Sequence, residues 1–242
     1  MTQGFRNILA ILFALGCAGQ AAAAEAAAGG ERFEVASIRA VRPTLVTTLA
    51  ALRQQDIAGA RAAFAAYDSA WNGIEVYINT RDKNLYDAIE HDFQARIEKG
   101  LAAPNPDAAA LATDTQAMLA KYDEAISLVG AAAPLNPLYD DVAHLRIVRA
   151  HLREVVPALK AGDLAKARKS YSAFDDNWDS IEDLVKARSA DAYVAIEKAM
   201  VQIEQALMPE QPDVAKVTDL VNGVMTQYNA QLAVVTREAR GR

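Results

Sequence analysis

From Ile57 onward the apolar positions fall at Ile57, Ala60, Phe64, Tyr67, Trp71 and Ile74, in steps of three and four residues that gather them on one side of an α-helix. Runs of the same period predict helices at about 34–54, 57–79, 83–99 and 107–130, and again at about 138–160, 164–187, 190–207 and 213–238. The interruptions have local causes. Asp56, Asp82, Asp163 and Ser189 offer side-chain oxygens to the free N–H groups of a first turn, and Gly162 accepts the left-handed conformation that closes a helix. Pro104, Pro106, Pro209 and Pro212 cannot continue one. Pro43 is expected near a helix start, and Pro157 is expected to kink or end the helix that holds it.

Short connections favour antiparallel neighbours, so the expected fold is all-α: two tandem four-helix, up-down bundle units. Residues 34–130 form the first unit and 138–238 the second, with the Pro-rich stretch 131–137 as a linker. Self-similarity supports this division. Asp56–Glu90 aligns without a gap on Asp163–Glu197 at an offset of 107, with 14 of 35 positions identical. The identical pairs include Asp68/Asp175, Trp71/Trp178, Ile74/Ile181, Glu75/Glu182, Arg81/Arg188, Tyr86/Tyr193 and Glu90/Glu197.

The first 24 residues carry a different signal: Arg6, an apolar run from Ile8 to Leu15, then Ala22-Ala23-Ala24, the order of an export leader with its cleavage site. Residues 25–33 are expected as a flexible lead-in. The run is too short to span a bilayer, and no later segment is expected to reach the roughly 20 apolar residues a membrane helix needs. The expected location is therefore the periplasm. Cys17, the only cysteine, offers lipid anchoring as the alternative; if cleavage follows Ala24, no thiol remains for a disulfide, a metal or catalysis.

Hydrophobic residues make up 52% of the chain and aromatics only 7%; much of the rest is alanine, which favours close-packed helices. The formal charge is −6, and −7 without Arg6, which argues against nucleic acid as a partner and is compatible with cations.

Candidate chemistry lies in the duplicated residues. Asp68, Trp71 and Glu75 are spaced i, i+3, i+7 along one helical stripe, as are Asp175, Trp178 and Glu182; Tyr86 and Glu90, and Tyr193 and Glu197, are spaced i, i+4 on the next helix. Two such stripes facing one another would present oxygen ligands to a cation such as iron, magnesium, calcium or manganese. The alternative reading makes the tryptophans core anchors and the glutamates structural, solvated or paired with Arg61/Arg168 or Arg81/Arg188. A buried di-iron oxidase is not expected, because no Glu-x-x-His occurs. His144 and His151 share a helix face near Asp140 and Asp141, the geometry of a surface copper or zinc site, but neither has a histidine in the other copy. Motifs for haem attachment, serine hydrolysis, zinc proteolysis and phosphate binding are absent, and no enzyme is expected.

The run Tyr67-Asp68-x-x-Trp71-x-x-Ile74-Glu75, followed by Tyr86-x-x-Ile89-Glu90 and Phe93, resembles the helical extracytoplasmic domain of bacterial oxidase-dependent iron permeases, here duplicated and without the membrane part. The resemblance touches roughly 56–99 and 163–205. It implies an accessory role in periplasmic iron uptake beside a membrane permease or another periplasmic protein. By motif match, Glu75, Glu90, Glu182 and Glu197 are the implied iron ligands, with Asp68 and Asp175 secondary. The permeases' membrane Arg-Glu-x-x-Glu motifs are missing, so transport by this chain alone is not expected. The competing expectation is a non-catalytic interaction scaffold of the cell envelope that holds no metal.

Overall fold

The computed structural model describes residues 31–241, and among them every regular element is helical. The expected leader, its cleavage site and Cys17 lie outside the described residues. The helices are α1 (Phe33–Arg53), α2 (Ile57–Asn79), α3 (Lys83–Asp87), a π-helical segment π1 (Ala88–Gln94) and α4 (Ala95–Ala102) in one continuous rod, and α5 (Ala108–Ala131). After the proline-rich joint come α6 (Leu138–Lys160), α7 (Leu164–Trp178), the short α8 (Glu182–Lys186), α9 (Ala190–Leu207) and α10 (Val214–Ala239).

Aspartate and serine begin most of these helices for the reason expected. Asp56 accepts from the Gly59 amide, Asp82 from Leu85, Asp107 from Ala109 and Ala110, Asp163 from Lys166, Ser189 from Ala192, and Asp213 from Lys216. At the other ends, arginines cap carbonyls that no turn can reach. Arg32 donates to Val129 O at 2.6 Å and Ala132 O at 2.7 Å, Arg61 to Leu101 O at 2.8 Å, and Arg168 to Leu207 O at 3.1 Å.

Four expectations change. Pro43 lies inside α1 rather than at its start, and α6 does not end at Pro157 but runs through it to Lys160. The helix expected over 164–187 breaks after Trp178 at Asp179–Ile181 and resumes as α8. By length and composition α1 is also long and apolar enough to cross a membrane, contrary to the sequence reading, yet 56% of that stretch is buried in the core.

The first core forms where α1 packs on α2 and α5; the second forms where α6 packs on α7 and α10, and α9 on α10. Trp71, Tyr67 and Tyr122 sit at the centre of the first, Trp178, Phe174 and Tyr228 at the centre of the second, all nearly fully buried. Tyr122 donates to the carbonyl of Ile38 at 2.9 Å and Tyr228 to that of Leu145 at 2.6 Å, so each phenol reaches across its core without leaving a polar atom bare. One hydrophobic cluster runs through both, because α2 packs on α6. Gly73 permits that approach: a Cβ there would lie 2.3 Å from Ile147 Cγ1.

The π segment has a consequence for register. Trp71 and Trp178 are 107 residues apart, as are Glu90 and Glu197; beyond Gln94, the capped carbonyls Leu101 and Leu207 and the phenols Tyr122 and Tyr228 are 106 apart. One extra residue in a helix widens a turn into a π-bulge, and the widened turn lies where the spacing changes.

Candidate functional site

Asp68, Trp71 and Glu75 project from α2 toward the rod that follows it. Trp71 is wholly buried, stacked on Tyr86, and its indole N–H donates to the carboxylate of Glu90. Trp178 repeats this, stacked on Tyr193 and donating to Glu197. A charged acceptor is the stronger kind for a buried indole. These two glutamates thus orient the aromatic anchors, a role the i, i+4 spacing alone did not reveal.

Glu75 meets Arg146 of α6 at 2.7 Å, with each side chain 19% exposed. The sequence reading offered Arg61 and Arg81 instead. Arg61 is occupied at a helix end, and Arg81 pairs at 2.7 Å with Glu34, a carboxylate only 4% exposed that Arg32 also approaches at 2.9 Å. Arg188 pairs with Glu238 at 2.7 Å. Glu182 starts the short α8, where Tyr193 shares a hydrogen bond with it.

Asp68 accepts from Gln94 Nε2 at 2.7 Å, and the same nitrogen lies 3.3 Å from Glu98 Oε1. Gln94, the last residue of π1, is buried, and its Oε1 has no hydrogen-bond partner. The wholly buried Tyr67 hydroxyl has none either. Burial raises the Asp68 carboxyl above its ordinary pKa, with Glu98 and Glu90 adding to the effect. Burial likewise raises Glu75, opposed by Arg146 and reinforced by Glu90. Burial pushes Tyr86 up to about 12, again with Glu75 and Glu90 contributing.

The corresponding face of the second half is different. Asp175 is raised by burial and then by Glu204, Asp176, Asp179 and Glu197, all of them acids. Phe174 stands where the first half has Tyr67, and Met200 where it has Gln94 once the 106-residue spacing applies.

The six residues implied as iron ligands therefore fall into separate local environments: Asp68, Glu75 and Glu90 around Tyr67, and Asp175, Glu182 and Glu197 around Trp178 and Tyr193. Among the described residues no three histidine, cysteine, aspartate or glutamate side chains converge as a metal cage. The two histidines that could have formed a surface pair, His144 and His151, are both half-buried. His144 packs its ring on Phe33 at 4.3 Å, and burial lowers the pKa of both His144 and His151. What the sequence reading missed is Gln94, whose only signal was the change of spacing from 107 to 106, and the Arg146, Arg149 and Arg153 row on α6, spaced i, i+3, i+7. Arg146 and Arg153 reach across to Glu75 and Asn72 of α2, each at 2.7 Å, whereas Arg149 donates to Asn229 of α10 at 3.0 Å. Comparison of the chain with protein-family models, with curated proteins and with solved structures finds no match in any of the three.

Proposed function

We propose that this chain is an exported, non-catalytic protein of two repeat-related four-helix units that binds a cation, iron by its resemblance, and serves a membrane permease from the periplasm. The repeated indole-to-glutamate and phenol-to-carbonyl hydrogen bonds support the duplicated architecture. One observation carries the cation reading: Asp68 and Glu75 are held in partial burial near Glu90, and burial raises the pKa of both, with the Glu90 carboxylate adding to it. Carboxylates gathered at such a cost are stabilised by a hard cation, whose preferred ligands are oxygen atoms. Calorimetric titration of the chain with ferrous iron under nitrogen, beside Glu75→Ala and Glu182→Ala, tests it. Binding by the parent that weakens in the variants supports the reading; negligible heat in all three overturns it.

The second reading, an interaction scaffold without metal, draws on the same side chains. Glu90 and Glu197 hold tryptophans and Glu75 holds Arg146, so each glutamate has a structural task. On that reading the substitutions lower stability or partner capture and leave metal content unchanged.

A further inference from the structure

Inside its core the first half has a π-bulge ending in a buried glutamine between two carboxylates, where the second half has Met200. In an α-helix the side chain at each position points where the 100° turn dictates; the extra residue of π1 rotates the end of the rod and brings Gln94 inward toward α2. There its amide nitrogen donates to Asp68 and Glu98 together, and its carbonyl oxygen is buried with no partner. A buried amide oxygen without a donor has given up its hydration and gained no bond in exchange. The Tyr67 hydroxyl in the same neighbourhood is also bare, and it feels Glu90, Asp68 and Glu75. The second half avoids both costs with Phe174 and Met200, although it keeps Asp175 and Glu204.

We propose that Asp68, Glu98 and Gln94 form a divalent-cation site belonging to the first half alone. Rotation of the Gln94 amide by half a turn exchanges its nitrogen for its oxygen, atoms of nearly the same shape. With a cation seated between the carboxylates, Oε1 becomes the third ligand, while Nε2 gives up its two carboxylate acceptors and takes the buried place that Oε1 leaves. Without a cation, the N–H₂ group holds the two carboxylates together. Glu98 is exposed and Asp68 half-buried, which opens the site to solvent on the Glu98 side. All three ligands are oxygen, which suits manganese, magnesium, calcium or ferrous iron and disfavours copper and zinc.

This assignment rests on the cation reading above and joins Asp68 of the duplicated set to two residues outside it, Gln94 and Glu98. The test is titration with manganous ion, followed by loss of the free-ion paramagnetic resonance signal, on the parent chain, Asp68→Asn, Glu98→Gln, Gln94→Met, Glu75→Ala and Asp175→Asn. One ion per chain is expected, with Kd weakened roughly tenfold or more in the first three variants and unchanged in Asp175→Asn. Glu98→Gln changes an exposed side chain, so it keeps the test decisive if Asp68→Asn or Gln94→Met fails to fold. Undiminished binding by Glu98→Gln together with loss in Glu75→Ala overturns this site and leaves the broader cation reading standing. Absence of binding by the parent overturns both.

Discussion

The indole N–H of Trp71 donates to the carboxylate of Glu90, nineteen positions further along the chain. Through that bond the end of the hairpin formed by α2 and the following rod is fixed by a buried charge-assisted contact. Glu90→Ala leaves the N–H of a fully buried indole unpaired, and unfolding in urea is expected to show a loss of about 1–3 kcal/mol. Glu90→Gln keeps an acceptor oxygen and should lose distinctly less. Glu197→Ala should behave in the same way through Trp178. A Glu90→Ala protein as stable as the parent would remove the structural role.

Arg81 and Arg188 occupy equivalent sequence positions and differ in what they hold. Arg81 meets Glu34 with side-chain exposures of 7% and 5%, whereas the Glu238 partner of Arg188 is 41% exposed. Truncating one member of a buried pair leaves the other charge short of a partner; Glu34 keeps Arg32 at 2.9 Å, so Arg81→Ala is expected to cost about 3 kcal/mol, the low end for a buried pair. Arg188→Ala is expected to cost about 1 kcal/mol or less, as exposed pairs do. Thermal or chemical denaturation of both variants checks the ranking, and equal losses would contradict it.

The helix pattern was legible because its causes are local. Ser189 and the aspartates announce the N-termini, and Trp71, Ile74 and Trp178 announce the buried stripe; all of these are where their period places them. The break after Trp178 was not legible, since Asp179 and Ser180 are tolerated inside a helix and their effect depends on packing. Site chemistry was less legible still. Glu75 shares a helical stripe with Trp71 and Glu90 shares one with Tyr86, but their partners Arg146 and Trp71 are fixed by how the elements pack. Spacing reports which residues share a face, and it cannot report what lies opposite.

Gln55 has φ of 59°, the left-handed region that Gly162 adopts at the equivalent turn with φ of 74°. Both turns close a helix with the same crossed bonds, Asp56 N–H to Ala51 O and Asp163 N–H to Ala158 O, each 2.9 Å. A side chain in that conformation costs roughly 1–2 kcal/mol. Gln55→Gly should therefore stabilise the protein by about 1 kcal/mol, and Gly162→Ala should destabilise it by a similar amount, measured as a shift in the urea midpoint at constant slope. A destabilised Gln55→Gly protein would mean that the glutamine side chain makes a contact outweighing its strain.

Asp68 and Asp123 should respond to pH in opposite directions. The Asp68 carboxyl is raised by burial, so between the ordinary aspartate pKa and its higher folded value the native state binds more protons than the unfolded chain, and this group's contribution to stability falls as pH rises. The Asp123 carboxyl is lowered by its hydrogen bond from Arg42, at 2.6 Å, so its contribution is present above the ordinary aspartate pKa and disappears as pH falls through the folded value. The difference in stability between the parent and Asp68→Asn should therefore shift in favour of the variant on going from pH 4 to pH 7. For Asp123→Asn the same interval should shift it in favour of the parent. Comparing each variant with the parent at both pH values cancels the other carboxylates, and parallel profiles for all three proteins would refute the opposite burdens assigned to these two groups. A divalent cation at Asp68 and Glu98 would add a further signature, because metal and proton compete for the same oxygens. Saturating manganous ion should then raise stability more at pH 7 than at pH 4 in the parent, and by the same small amount at both in Asp68→Asn.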